Sequence, residues 1–274
     1  MSRSLSPVES KLIMHLEWEK QPVVTIEEAM EVLGCSYGRA RQVLSRLARK
    51  RWLARVTPGT YEFIPAERGE YAFPDPNPLL VGRTLVEPHY FSYSTAAFFH
   101  GLSSQASATV YVATTTRARR AQITVRGTTY RLVRQTSEKF FGAAEVSAYG
   151  TSVMMADPEK TVLDCLDRPA YAGGIPEVAA MMSRGRHRLD WTVVCDYALR
   201  FGIQSLVQRL GYLAELLDVQ LPEAERARLA GAVGKSHTYL GQTARWGTGG
   251  EYVPAWQLVA NIPREELVAE IEVV

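Results

Sequence analysis

The chain has 274 residues and a formal net charge of +2, and no apolar run in it approaches the roughly 20 residues that a membrane helix needs. Its apolar fraction of 46% and charged fraction of 22% are typical of globular domains, and its length predicts two of them. The scattered Cys35, Cys165 and Cys195 exclude a disulfide framework and argue against structural zinc. The first residues lack the layout of a signal peptide, so we expect a cytoplasmic protein with reduced core thiols and no membrane partner.

The small net charge is a cancellation between segments. Residues 1–76 carry a net charge of +1, residues 77–156 a net charge of +5, and residues 157–274 a net charge of −4. Two stretches contain basic but no acidic residues: 34–61, with seven Lys or Arg, and 88–137, with six Arg. Such clusters are either an electrostatic footprint for phosphate backbones or a solvated face.

The N-terminal segment predicts a small helical domain. Ser6-Pro-Val-Glu9 combines a capping Ser, a first-turn Pro and a Glu that closes a capping box, so we expect a helix to begin there. Thr25-Ile-Glu-Glu28 is a second capping box, which opens a short helix with one apolar face. Gly34-Cys35 ends that helix, and Ser36 is a suitable cap for a third one.

The third predicted helix, at about residues 37–51, has one apolar and one basic face. At about 100° per residue, Ala40, Val43, Leu44 and Leu47 form the apolar stripe. Arg can bond guanine bidentately, Gln can bond adenine, and Ser can bond phosphate or a base edge, so the opposite face suits a major groove. Lys50 and Arg51 either touch phosphate or are solvated. The predicted groove residues are Tyr37, Arg39, Arg41, Gln42, Ser45, Arg46 and Arg49.

A β-hairpin is predicted directly after this helix. Thr57-Pro-Gly-Thr60 fits a tight turn between the β-forming segments 52–56 and 61–64. Arg55 and Thr60 lie where the wing of a winged helix usually touches phosphate. The order of helix, short helix, glycine turn, basic helix and hairpin therefore predicts a winged helix-turn-helix that binds DNA. The alternatives are a winged fold used for protein contact and a helical packing unit whose basic face is only solvated.

Alternating prolines up to Pro78 predict an extended linker. We assign residues 1–68 to the DNA-binding domain, 69–78 to the linker and 79–274 to a larger mixed domain. The fold class is α+β, with strands first and helices later. We predict a helix at 94–100, strands at 109–112, 123–125, 130–133 and 153–155, helices after Asp157 and at 176–183, 191–201, 204–217 and 222–233, and a late strand at 256–260.

Asp157, Glu159, Asp164 and Asp167 form the densest carboxylate group. One interpretation is a metal site for phosphoryl transfer. The other is structural, because Asp157 can cap a helix, Glu159 favours its positive end and Lys160 can pair with Asp164 one turn later. No Gly-rich phosphate loop, nearby His or nucleophile motif supports catalysis. We therefore predict no catalytic residue, no metal and no cofactor.

A second run of arginines lies between residues 117 and 134. Arg131 and Arg134 have opposite parity, so a regular strand places them on opposite faces. A second nucleic-acid surface, a site for an acidic partner and a solvated rim all remain open. The run comprises Arg117, Arg119, Arg120, Arg126, Arg131 and Arg134.

The chain resembles the AbiEi-type antitoxins of type IV toxin–antitoxin and abortive-infection systems. The resemblance is carried by the winged helix, by Ser94-Thr-Ala-Ala-Phe-Phe-His-Gly-Leu102, and by Ala156-Asp-Pro-Glu-Lys-Thr-Val-Leu-Asp-Cys-Leu-Asp-Arg-Pro169 followed by Tyr171-Ala-Gly-Gly174. It implies a bacterial transcriptional autorepressor that binds inverted repeats in its own promoter. It also implies that the chain counteracts a nucleotidyltransferase-like toxin, with or without direct contact.

One basic helix contacts about one half-site, so we expect either a monomer or a dimer that is assembled on double-stranded DNA. Two other functions stay open. The first is a ligand-responsive winged-helix regulator unrelated to a toxin. The second is a metal-dependent enzyme that uses the carboxylates between Asp157 and Asp167.

Overall fold

The computed structural model describes residues 4–69, 74, 77–149 and 151–268. Within it the chain divides into two compact units. The first unit comprises Met1–Glu87, Thr124–Thr128 and Tyr149–Thr151, and the second comprises Pro88–Ile123, Thr129–Ala148 and Ser152–Val274. Of the linker predicted at 69–78, residues 70–73, 75 and 76 lie outside the described residues.

The first unit is a winged helix-turn-helix, as predicted. Its three strands form one sheet in the order β1-β3-β2, and β3 pairs antiparallel with both neighbours. The sequence did not predict β1, which pairs Val24 with Tyr61. The elements are α1 (Pro7–Trp18), β1 (Val23–Thr25), α2 (Ile26–Leu33), α3 (Tyr37–Arg49), β2 (Leu53–Thr57), β3 (Thr60–Phe63), a 3₁₀ turn (Ala66–Arg68) and α4 (Pro78–Gly82).

Local signals set the helix ends in this unit. Both predicted capping boxes form, at Ser6 and at Thr25, and Gly34 ends α2 in the left-handed conformation with φ of +63°. Ser36 occupies the N-cap position of α3, but its side chain makes no capping hydrogen bond. The third helix ends at Arg49, two residues earlier than predicted, because Arg51 turns the chain with φ of +61°.

The second unit begins with a mixed six-stranded sheet in the order β6-β7-β5-β4-β9-β8. The pairing of β5 with β7 is parallel, as is that of β4 with β9, whereas β4 and β5 are antiparallel. The elements are β4 (His89–Phe91), α5 (Tyr93–Phe99), β5 (Thr109–Thr114), β6 (Gln122–Val125), β7 (Thr128–Arg134), a 3₁₀ turn (Ser137–Lys139), β8 (Ala143–Ala148) and β9 (Thr151–Ala156).

Helices follow the sheet and enclose the core, which confirms the predicted order of strands and then helices. The helices are α6 (Pro158–Asp167), α7 (Ile175–Gly185), α8 (Trp191–Phe201), α9 (Gln204–Leu216) and α10 (Glu223–Ala232), with a 3₁₀ turn at Pro169–Tyr171. A small second sheet closes the unit and consists of β10 (Thr238–Tyr239), β11 (Glu251–Val253) and β12 (Leu258–Ala260). The same segment contains two short helices, α11 (Thr243–Trp246) and α12 (Arg264–Val268). None of the helices among the described residues is both long and apolar enough to cross a bilayer.

The late strand predicted at 256–260 is wrong in its first half. Pro254–Trp256 forms a 3₁₀ turn, Gln257 adopts φ of +48°, and only Leu258–Ala260 is extended. Trp256 is 1% exposed and packs against Gly211 of α9, where any Cβ would lie 2.2 Å from the indole. Burial of this large ring between two elements outweighs the local β preference.

Two of the three cysteines are core residues, as expected, whereas Cys35 of the first unit is only half-buried. Cys165 and Cys195 are both fully enclosed. Burial raises the pKa of the Cys195 thiol to about 12 and raises that of Cys165 as well. Both therefore stay protonated and unreactive at neutral pH.

Candidate nucleic-acid interface

Helix α3 separates its two faces cleanly. Ala40, Val43, Leu44 and Leu47 are 0% exposed and pack into the core of the first unit. This is the apolar stripe predicted from the periodicity. The residues predicted to face the groove are all exposed: Tyr37, Arg39, Arg41, Gln42, Ser45, Arg46 and Arg49.

Five of these seven residues line one open concavity of about 520 Å³ on α3. The sixth lining residue is Gly38, where a Cβ would meet nothing within 4 Å, so the absent side chain opens the first turn of the helix. Tyr37 and Arg39 stay outside the concavity. Three guanidinium groups and one amide on a single face form a surface that attracts phosphate and can bond base edges. The lining residues are Gly38, Arg41, Gln42, Ser45, Arg46 and Arg49.

Lys50 does not belong to this face, and its position matches neither of the two alternatives that the sequence left open for it. Its Nζ donates to Oε2 of Glu9 at 2.7 Å, and the Glu9 side chain is 1% exposed. Burial alone would raise the pKa of Glu9, but hydrogen bonds from Lys50 and Ser6 outweigh it and lower the pKa. Arg46 lies at the edge of the same network, with Nε 3.9 Å from Oε1 of Glu9. The network joins the first turn of α1 to the last turn of α3.

The wing is the β2–β3 hairpin. Gly59 turns the chain with φ of +92°, and its carbonyl accepts from the backbone N–H of Ile26 at 3.0 Å. Arg55 is exposed, while Thr60 is half-buried and pairs with Thr57 across a bulged register.

Arg51 and Arg55 share a second concavity of about 330 Å³ beside β2. The sequence alone left Arg51 undecided between phosphate contact and solvation. Its left-handed φ turns the chain between α3 and β2, and residues on both elements line the concavity. A motif search cannot find this pairing, because it depends on the turn geometry. The tip of the β6–β7 hairpin belongs to the same unit, and there Arg126 forms an ion pair with the buried Glu62.

The second run of arginines does not form one patch on the strand. In β7, the guanidinium group of Arg131 lies 5.6 Å from the centroid of the Tyr171 ring, whereas Nε of Arg134 donates to the Thr115 carbonyl at 3.4 Å. Alternating parity therefore separates the two residues, as predicted. Arg117, Arg119 and Arg120 are exposed on the β5–β6 connection.

Each of the four clustered carboxylates accepts from a separate donor group, and these groups belong to Lys160, Asp190 and Lys139. Asp157 caps α6 by accepting from the Lys160 N–H at 2.6 Å, and Glu159 accepts from the Asp190 N–H at 3.0 Å. Asp164 is buried with the Lys160 ammonium group, and Asp167 pairs with Lys139 at 2.9 Å. In the described part of the chain, no group of three His, Cys, Asp or Glu is placed to hold a metal ion. The structural interpretation of this motif therefore fits its geometry.

Comparison with known proteins supports both the winged helix and the whole fold. Residues 11–64 match a family model described as a transcriptional regulator, AbiEi antitoxin, which confirms the resemblance drawn from the sequence. The whole fold is similar to the crystal structure of the RV2827C protein from Mycobacterium tuberculosis. That match has a TM-score of 0.65 and 20% identity, and it covers 99% of this chain and 96% of the other, which shows a shared fold. A search of curated proteins found no match.

Proposed function

We propose that the chain is a DNA-binding transcriptional autorepressor and the antitoxin of a type IV toxin–antitoxin operon. The observation that carries this proposal is the exposed face of α3, where Arg41, Gln42, Ser45, Arg46 and Arg49 line one concavity. The match of residues 11–64 to AbiEi transcriptional regulators supports it, because that segment contains α2, α3 and the wing.

The two basic surfaces of the first unit have different roles in this proposal. The α3 face enters the major groove, where Arg41 and Gln42 bond base edges and Ser45, Arg46 and Arg49 bond bases or flanking phosphates. Tyr37 and Arg39, in the first turn of α3, contact the sugar-phosphate backbone of the DNA. Arg55 and Thr60 of the wing, with the neighbouring Arg51, bind the adjacent phosphates without reading sequence.

Two copies bind one operator in this proposal. A single α3 spans about one half-site, so an inverted repeat takes two chains related by a two-fold axis. They pair on the DNA, with half-sites about one helical turn apart.

The first experiment measures binding to the promoter upstream of the chain's own gene. We expect the double variant Arg41→Ala, Gln42→Ala to lose affinity about 30-fold or more, because each bidentate base contact is worth about 1–3 kcal/mol. Arg226→Ala on α10 removes one positive charge from an exposed position and is the matched control. Unchanged affinity of the double variant in a mobility-shift assay at the same salt concentration would falsify the assignment of α3 as the reading helix.

The second experiment tests the antitoxin role separately. A neighbouring gene that encodes a nucleotidyltransferase-like protein is expressed with the intact chain and with the Arg41→Ala, Gln42→Ala variant. We expect the intact chain to restore growth. Growth inhibition that persists despite a stable and folded chain contradicts the antitoxin role, whatever the outcome of the DNA experiment.

A further inference from the structure

A pocket of about 440 Å³ opens in the second unit, in the range of roughly 300–1,000 Å³ that small-molecule sites occupy. Two of the segments that carry the family resemblance meet in it, one through Ser94 and the other through Tyr171, Ala172 and Gly173. The DNA-binding proposal uses neither segment. The residues that line the pocket include Ser94, Ser103, Tyr111, Tyr171, Glu177 and Arg245.

The Ser94 hydroxyl is a buried polar group without a partner among the described residues. The residue is only 9% exposed, and it lines the pocket. Tyr93, directly before it, holds φ of +54°, a conformation that is strained for a bulky side chain. A buried hydroxyl that lacks a hydrogen bond is itself costly. A ligand that supplies the missing bond satisfies this group.

Two tyrosine rings form an aromatic wall. The centroids of Tyr111 and Tyr171 lie 5.2 Å apart, with an angle of 34° between the ring planes. Tyr93 abuts Tyr171 edge-on at 5.3 Å, and Arg131 lies over the Tyr171 ring, so both contacts restrict that ring. Stacking on an aromatic side chain suits every nucleobase, because each base has a π face.

Glu177 offers a fixed carboxylate to the same space. Its Oε1 accepts from the Ser103 hydroxyl at 2.8 Å and from Nη1 of Arg184 at 3.4 Å. These bonds hold the carboxylate in one orientation and leave Oε2 available among the described contacts. A carboxylate accepts the N–H groups on a base edge, as it does from cytosine N4 in DNA recognition.

Arg245 offers an exposed guanidinium group at the edge of the pocket. Its Cζ lies 4.8 Å from the centroid of the Trp246 ring, and no ion pair is described for it within the part of the chain that the structure covers. Gly173 and Gly174 have φ of +84° and +106°, and the nearest guanidinium nitrogen lies 3.9 Å from where a Gly174 Cβ would be. An unpaired guanidinium beside bare backbone suits a phosphate group.

We infer that this pocket binds a nucleoside monophosphate. The base stacks on Tyr111 and Tyr171 and donates N–H groups to Glu177, the Ser94 hydroxyl bonds the ribose or a ring acceptor, and Arg245 binds the phosphate. The tyrosine pair, Glu177, Ser94 and Arg245 thus each contact a part of this ligand. The inference concerns the second unit alone and does not depend on DNA binding by α3.

The test is isothermal titration of the full chain with each of the four ribonucleoside 5′-monophosphates and with the matching nucleosides. We expect saturable binding at one site for at least one monophosphate. Arg245→Gln is expected to weaken that binding about ten-fold or more and to leave nucleoside binding unchanged. Arg264→Gln, an exposed position on α12 outside the pocket lining, is the control and leaves both affinities unchanged.

A second variant distinguishes a ligand site from a structural pocket. Ser94→Ala removes the unpartnered hydroxyl, so we expect the free protein to melt at the same or a higher temperature while the monophosphate binds about five-fold more weakly. The inference is overturned if none of the monophosphates binds at millimolar concentration. It is also overturned if binding is the same in Ser94→Ala and Arg245→Gln as in the unaltered chain.

Discussion

Lys160 donates a hydrogen bond to Asp164 one helical turn later, and both side chains are enclosed in the core of the second unit at 0% and 1% exposure. The Lys160 Nζ also donates to the Tyr90 hydroxyl at 3.1 Å, and its charge lies 4.7 Å from the centroid of the Phe201 ring. Nε2 of Gln135 donates to Oδ1 of Asp164, the same oxygen that accepts from Lys160, at 3.1 Å. A buried charge pair satisfied in this way ties α6 to strand β4 and to the end of β7.

Removing one partner of this pair is expected to be costly. Burial lowers the pKa of Lys160, and Asp164 partly offsets that effect, so Asp164→Ala leaves an uncompensated buried ammonium group. We expect a loss of about 3–5 kcal/mol in the free energy of unfolding measured with urea. The double replacement Lys160→Met, Asp164→Leu is expected to cost less, because it leaves no unpaired charge.

Glu215→Ala is the matched control for this prediction. It removes a carboxylate from a pair with Arg226 that is exposed on both sides, so we expect a loss of about 0–1 kcal/mol. Equal losses in Asp164→Ala and Glu215→Ala would mean that the buried pair contributes nothing specific.

The Glu9 network predicts acid sensitivity of the first unit. The pKa of Glu9 in the folded state lies below its ordinary value of 4.5, so the unfolded chain binds this proton more tightly. The stabilisation is present above pH 4.5 and is lost as the pH falls through 4.5 towards the lowered pKa. Hydrogen exchange of α1 and α3 is expected to show weaker protection at pH 7 in Glu9→Gln and a shallower loss on acidification. Glu31→Gln, at an exposed position of α2, is expected to behave like the unaltered chain.

Two helical glycines form a matched pair for a packing prediction. A Cβ at Gly211 would lie 2.2 Å from the Trp256 ring, whereas at Gly231 it would meet nothing within 4 Å. Gly211→Ala is therefore expected to destabilise the second unit by about 1–3 kcal/mol or more through overpacking. Gly231→Ala is expected to stabilise it by about 0.4–1 kcal/mol, because alanine restricts the unfolded chain. Thermal unfolding of both variants measures these changes in stability. A Gly211→Ala protein as stable as the unaltered chain contradicts the packing of Trp256 against Gly211.

We expect the exposed arginines of the β5–β6 connection to contribute to DNA binding. If Arg119 and Arg120 each neutralise one phosphate, the double variant Arg119→Gln, Arg120→Gln binds with a weaker salt dependence. The negative slope of log affinity against log salt becomes shallower by about 1.8. The measurement is a salt titration of promoter binding by the full chain. An unchanged slope excludes a second DNA surface on this connection and leaves a solvated rim.

Local signals predicted the exposed face of α3 almost completely. The capping boxes at Ser6 and Thr25, the glycine turn at Gly34 and the stripe through Val43 and Leu47 act within one or two helical turns, so the neighbouring sequence specifies them. Strands β1, β4, β8, β10 and β11 were missed, and for β1 the cause is a long-range pairing. Val24 is extended because it pairs with Tyr61, a partner far away in the chain.

The sequence by itself determined which residues face outwards on α3 and where α6 begins, because helical periodicity and capping are local properties. It also marked Lys160 and Asp164 as an i,i+4 pair, but such spacing is the same on a surface and in a core. Only the tertiary structure decided that this pair is buried, since the side chains that enclose it come from distant strands. The pocket is a tertiary property for the same reason: Ser94 and Tyr171 meet only when α5 and α6 pack together.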